Sequence, residues 1–263
     1  MERMDANCLV GSWPFRKAGR STAAELRKIH GENGIRCGCV ASLNSIFYSD
    51  PFEGEEELHE DLKGTEYRQV MTVNPALPGG TGDIAEGVRR FGIAGVRIYP
   101  GYHRYALGDP CVAALCAELK KQGLPLFLPL RMEDERLNYL AAPRPLPVRE
   151  VESFLSEHRD LTAVVLGARP HEIESLGGEL RSRPNLYFDL SGLKDGQFNV
   201  ERLVGEFGDG KLVYGSLYPL YCLKSSLLQV ETAEIPDRSK ERIFSGNLLS
   251  ALARPEGRTA VSG

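Results

Sequence analysis

The chain has 263 residues, 42% hydrophobic and 26% charged, with a formal net charge of -4. That is ordinary globular composition, long enough for one large α/β domain or two small ones. The mild acidity argues against a nucleic-acid surface, no apolar run approaches the roughly 20 residues of a membrane helix, and Met1-Glu2-Arg3-Met4-Asp5 has no signal-peptide core.

Asp5 to Val10 is a short apolar run, followed by a loop through Trp13, Phe15 and Arg16. Ser21-Thr22-Ala23-Ala24-Glu25 reads as a capped helix start with a capping-box acid, and that helix runs to about His30. Ile35 to Leu43 is the second strand. The acidic run Glu53 to Asp61 follows and reads as a solvated helix face. Tyr67 to Val73 is the third strand, 83–91 a helix, and Ile93 to Tyr99 the fourth strand, which breaks at Pro100-Gly101 into a loop carrying Tyr102, His103, Arg104 and Tyr105. Asp109-Pro110 opens the next helix. Leu124 to Leu130 is apolar throughout, as expected of a strand buried on both faces. Further strands are expected at 161–166, 186–190 and 211–214. Helices are expected at 148–158, 170–180, 200–207, from 220 onward and at 247–254, the last across the barrel wall. Eight strands alternate with helices without a linker. The count and order predict a single (β/α)₈ TIM barrel over 1–254, with 255–263 a frayed tail. The six cysteines, Cys8, Cys37, Cys39, Cys111, Cys116 and Cys222, form no C-x-x-C pair and read as reduced, mostly buried thiols of a cytoplasmic protein.

Several segments resemble the amidohydrolase superfamily, in its TIM-barrel metal-dependent hydrolase branch. Asp5-Ala6-Asn7-Cys8-Leu9 resembles the opening D-x-H-x-H strand. Leu124 to Pro129 and Val164 to Ala168 resemble the fifth and sixth strands, each of which usually ends in a metal-binding histidine. Gly215-Ser216-Leu217-Tyr218-Pro219 resembles the eighth, G-S-D-x-P, with its catalytic aspartate, and Ile243 to Asn247 the closing I-x-x-x-N segment. Carried over position by position, Asn7 and Leu9 stand for the first two histidines, Pro129 and Ala168 for the next two, and Leu217 for the aspartate. None offers an imidazole or carboxylate, whereas a catalytic zinc site needs about three protein ligands. The resemblance therefore implies a family barrel whose metal site is dismantled, with no metal and no cofactor. Metal-free relatives in the superfamily act on lactones of sugar acids or pyrones.

The strand ends still carry polar residues, where barrels place their sites. Period-two alternation puts Arg97 and Tyr99 on the inner face. An inward guanidinium needs a carboxylate such as Asp189 or an anionic ligand. The expected site combines His103, Glu133, Asp134 and Asp189 as acid-base groups with Asn7, Arg97, Tyr99, Tyr102, Arg131, Arg136, Arg169 and Tyr218 as substrate contacts. Arginines grouped at one mouth suit a carboxylate or phosphate. His103 would titrate near neutrality, a carboxylate would activate water, and arginines would stabilise an oxyanion. The leading expectation is a metal-independent hydrolase, of lactonase or lactone-isomerase type, acting on a small anionic compound. The rivals are a non-catalytic barrel binding a small anion or a partner, and a metal hydrolase with ligands drawn from His103, His171, Glu133 and Asp189. His30, His59 and His158 read as surface residues. No nucleic-acid or membrane partner is expected. Trp13, Phe15 and Phe47 could serve a homo-oligomer contact or a pocket lid.

Overall fold

A computed structural model describes residues 1–16, 18, 20–134, 136–137, 143–194 and 196–253, so the 255–263 tail expected from sequence lies outside the described residues. Eight parallel strands follow the chain: β1 (Met4–Ser12), β2 (Cys37–Ser42), β3 (Arg68–Thr72), β4 (Gly95–Arg97), β5 (Leu126–Pro129), β6 (Ala163–Leu166), β7 (Leu186–Asp189) and β8 (Leu212–Val213). The sheet closes where the amide of Ala6 donates to the Tyr214 carbonyl at 2.8 Å and that of Leu217 to the Asn7 carbonyl at 2.6 Å. The result is the expected single (β/α)₈ barrel. A two-residue strand, Arg20–Ser21, pairs antiparallel with the end of β1.

Local chemistry sets the helix boundaries. Thr22 accepts from the Glu25 amide, and the Glu25 carboxylate accepts from the Thr22 amide, completing the capping box that opens helix Ala23–Glu32. Gly92 and Gly123 adopt left-handed φ of 62° and 65° and end the helices Gly82–Phe91 and Pro110–Gln122. The expected 170–180 helix divides into Pro170–Ser175 and Gly178–Ser182, because Leu176 and Gly177 are extended and the Gly177 amide donates to Glu152. The expected loop after β4 is instead a helical turn, Pro100–His103. Proline at its first position supplies the helical φ, and Arg104 at φ 59° ends it.

Strand alternation sorts the core into two layers. Val96, Ile98, Leu126, Leu128, Val165 and Phe188 face the helices. Met4, Cys37, Val70, Phe127, Val164, Tyr187 and Val213 fill the lower interior. Leu248 and Ala251 of the final helix, Asn247–Leu252, join this inner group, so that helix closes the floor of the barrel rather than crossing its wall. Two expectations about surface residues are corrected here. Glu55, within the acidic helix Pro51–Asp61, is fully buried and accepts from the Thr72 amide and the Gln69 side chain. His30 is fully buried against β1. Among the described residues no helix is long and apolar enough to cross a membrane.

Candidate active site at the barrel mouth

The barrel axis carries one hydrogen-bonded chain of charge. Asn7 on β1 accepts from Arg97 Nη1 through Oδ1 at 2.8 Å, and donates through Nδ2 to Asp189 Oδ2 at 2.8 Å and to Ser191 Oγ at 3.3 Å. The second Asp189 oxygen accepts from the Gly167 amide at 2.6 Å. Arg97 completes its contacts with Met132 Sδ at 3.3 Å and with the Tyr99 ring, whose centroid lies 5.2 Å from Cζ. The direct Arg97–Asp189 pair expected from sequence is not formed. Asn7 bridges the two, and among the described residues Arg97 forms no ion pair with a carboxylate. Burial pushes the Asp189 carboxyl above its usual range, while the Gly167 amide, Asn7, Ser191 and the Arg97 cation pull it back.

Directly above this chain the interior is apolar. Leu9 and Leu217 are both fully buried, and they pack with Trp13, Leu43, Ile46, Tyr99, Met132 and Leu220. Leu217 holds a left-handed φ of 53°, rare for a branched side chain. Trp13, Phe15, Phe47 and Tyr102 stack edge-to-face over the plug, with centroids 5.4–6.0 Å apart.

The open cavity, about 580 Å³, lies beside this plug at the ends of β4 and β5. Tyr99, Pro129 and Met132 form part of its lining together with Tyr102, Arg131, Glu133, Asp134 and Arg144. Glu133 pairs with Arg16 Nε at 2.5 Å. Arg131 grips Glu172 through both terminal nitrogens and donates to the Gly167 carbonyl at 2.6 Å. Burial raises the Glu172 carboxyl, but the Arg131 hydrogen bonds, the Arg169 amide and the nearby positive charge together leave it lowered. Arg136 forms two bonds to Asp134, at 2.8 and 2.7 Å, and holds that carboxyl well below the usual range.

Other expected site residues lie elsewhere. His103 does not line the cavity. Its Nε2 contacts the Ile46 carbonyl at 3.0 Å, bracing the turn after β4, and burial lowers its pKa, so the neutral ring is favoured. Tyr218 packs among helix-facing residues outside the barrel, and Ala168 also lies on the helix side. Arg169 caps helix Pro170–Ser175, its amide donating to Glu172 at 2.7 Å. His171 on that helix is exposed. His103, His171, Glu133 and Asp189 do not converge as a ligand group: among the described residues the only such cluster is Asp5, Cys8 and His30. Sequence reasoning missed Arg16, Glu172, Arg144 and Lys194. Lys194 places its ammonium over the Tyr221 ring at 2.8 Å, and burial lowers its pKa to about 8. A cation spaced to meet Glu133 could have pointed to Arg16, but its partner is 117 residues away.

The amidohydrolase family pattern matches residues 52–247. No curated protein matches the chain. Among solved structures it is similar to 5-carboxyvanillate decarboxylase LigW from Sphingomonas paucimobilis, with TM-score 0.75 and 13% identity, covering 97% of this chain and 99% of that one. It is similar to dihydroxybenzoic acid decarboxylase from Polaromonas sp. JS666, which has bound manganese and the inhibitor 2-nitroresorcinol, at TM-score 0.67 and 12% identity over 95% and 96% of the two chains. The 5-carboxyvanillate decarboxylase from Novosphingobium aromaticivorans, complexed with manganese and 4-hydroxy-3-methoxy-5-nitrobenzoic acid, aligns at TM-score 0.74 and 12% identity, over 95% and 96%.

The donor set at the barrel axis here does not fit such a divalent ion. Leu9, Pro129 and Leu217 have no donor side-chain atom, the Asn7 amide is committed in both directions, and both Asp189 oxygens accept protein hydrogen bonds. A fixed guanidinium, Arg97, occupies the same interior.

Proposed function

The chain belongs to the amidohydrolase family, and from that premise we propose that it is a metal-independent hydrolase acting on a small carboxylated aromatic compound, bound in the cavity between β4 and β5. The observation that carries this reading is one cavity of about 580 Å³ lined by Arg131, Arg144, Glu133 and Asp134, beside an axis plugged by the apolar Leu9 and Leu217. The volume suits a single small ring compound. Guanidinium groups there would take a carboxylate and stabilise a developing oxyanion. Glu133, held by Arg16 Nε at 2.5 Å, would orient or deprotonate a water against a lactone or ester. The substrate class draws support from the structural neighbours, two named as decarboxylases of carboxyvanillate and one of dihydroxybenzoic acid. Six free cysteines accord with a reducing, cytoplasmic setting.

A second reading, a small-anion binder without turnover, is favoured by one specific feature: Glu133, Asp134 and Arg131 are each already paired. A panel of lactones and esters of benzoate-type acids, incubated with chelator-treated protein, separates the two. The hydrolase reading expects saturable turnover that falls at least tenfold in Glu133→Gln with KM little changed. Binding of the acids without turnover of any ester or lactone would leave the binder. Turnover only after manganese is restored would contradict both.

A further inference from the structure

The single cluster of convergent metal-type donors among the described residues lies in the barrel wall. Alternation along β1 sends Asn7 and Leu9 inward and Cys8 outward, against helix Ala23–Glu32. There Cys8 Sγ, a carboxylate oxygen of Asp5 and a ring nitrogen of His30 all lie within 4.8 Å of one another, and all three residues are fully buried. Asp5 Oδ2 and His30 Nε2 face each other at 3.3 Å without hydrogen-bond geometry, and neither has another partner among the described residues. Two unsatisfied buried polar atoms aimed at one point are costly unless something sits between them.

We propose that Asp5, Cys8 and His30 form a structural zinc site in the wall between β1 and helix Ala23–Glu32, separate from the family's position at the barrel mouth. The distances suit it. Zinc bonds of about 2.0–2.2 Å to nitrogen and oxygen at a tetrahedral angle separate two ligand atoms by about 3.3–3.4 Å, and the observed Asp5–His30 separation is 3.3 Å. The thiol lies within 4.8 Å of the other two ligand atoms. It now donates to the Cys39 carbonyl at 3.2 Å, so that oxygen is a further donor at the same place.

The groups that would orient these ligands are already in place. Tyr67 Oη lies 3.0 Å from His30 Nδ1, which fixes the ring and leaves Nε2 free to ligate. Asp5 Oδ1 accepts from the Asn7 and Ser216 amides at 2.9 and 3.0 Å, so its carboxylate is held and Oδ2 is directed at the cluster. Charge also balances. One carboxylate and one thiolate neutralise a divalent ion, and zinc displaces the thiol proton to solvent as the Zn–S bond forms. Without the ion, burial and Asp5 push the Cys8 thiol well above its ordinary pKa and keep it protonated. Ligands drawn from β1 and the following helix would tie the first β/α unit to the closing strand, through the Ser216 amide.

The test is metal analysis of the full chain refolded in excess zinc chloride and desalted, with cobalt(II) chloride as the spectroscopic probe. The proposal expects about one zinc per chain and a thiolate-to-cobalt charge-transfer band in the near ultraviolet. Cys8→Ser abolishes the band, and His30→Gln lowers zinc content at least tenfold. Because either variant could misfold, the wild-type chain is also refolded with and without zinc, and the thermal midpoint is expected to be higher with it. Refolded wild type with no bound zinc overturns the proposal. So does zinc that both variants retain, since that ion would lie elsewhere. Zinc that Cys8→Ser removes while turnover persists supports a structural site independent of the metal-free hydrolase reading.

Discussion

Two regions at the mouth of the barrel both hold arginines and carboxylates, and they use them in opposite ways. Along the axis, Arg97, Asn7 and Asp189 are sealed beneath Leu9 and Leu217, so their charge is fixed structure. In the cavity beside it, Arg131, Glu133 and Asp134 form part of the wall; the Arg131 and Glu133 side chains are largely covered by their own partners, yet each ion pair borders room for a ligand. The comparison separates burial from availability. A buried charge is held because removing one member strands the others, whereas a charge at a cavity wall can exchange its partner for a ligand.

The sharpest way to break this division is Arg97→Met. If the axis is a frame, stranding Asp189 and Asn7 costs roughly 3–5 kcal/mol, read as a lower urea midpoint with an unchanged slope. A variant of wild-type stability would mean that Arg97 is kept for a ligand instead. The next effect concerns another sealed charge, Glu55, whose pKa burial raises from 4.5 to about 7. The folded state holds this proton more tightly than the unfolded chain does. The associated stability is complete below pH 4.5 and is lost as pH rises to about 7, a change of about 3 kcal/mol. Glu55→Gln should flatten that part of the stability profile, and a profile identical to wild type would contradict the sealed-charge account. On the cavity side, Arg144→Ala should weaken binding of a benzoate-type carboxylate about tenfold, or about 1.4 kcal/mol, with unfolding unaffected. The smallest effect is expected at the rim. Arg136→Ala removes an exposed pair with Asp134 and should change stability by at most about 1 kcal/mol.

Most of the fold was legible because its signals are local. The Thr22–Glu25 capping box, Pro110 at a helix start and the apolar run at β5 each act within a few residues. The motif resemblance put Asn7, Leu9, Pro129, Ala168 and Leu217 at the family's ligand positions, an assignment read from their motifs alone. What eluded sequence reasoning was pairing across the fold. Glu133 meets Arg16 and Arg131 meets Glu172 over long separations, and no periodicity encodes such contacts. His103 misled for a related reason. A histidine after a strand looks available, yet proline and a left-handed Arg104 wind that segment into a turn that sets its ring on the Ile46 carbonyl. His30 and Glu55 lie on helices that read as solvated, but each takes a buried position facing the barrel strands.

The central claim is that ligand chemistry has moved from the barrel axis to the cavity between β4 and β5. Calorimetric titration of chelator-treated protein with small aromatic carboxylates tests it most directly. The account predicts saturable binding without added metal, weakened about tenfold by Arg144→Ala. Binding that appears only after manganese is added, and that Arg144→Ala leaves unchanged, would contradict it.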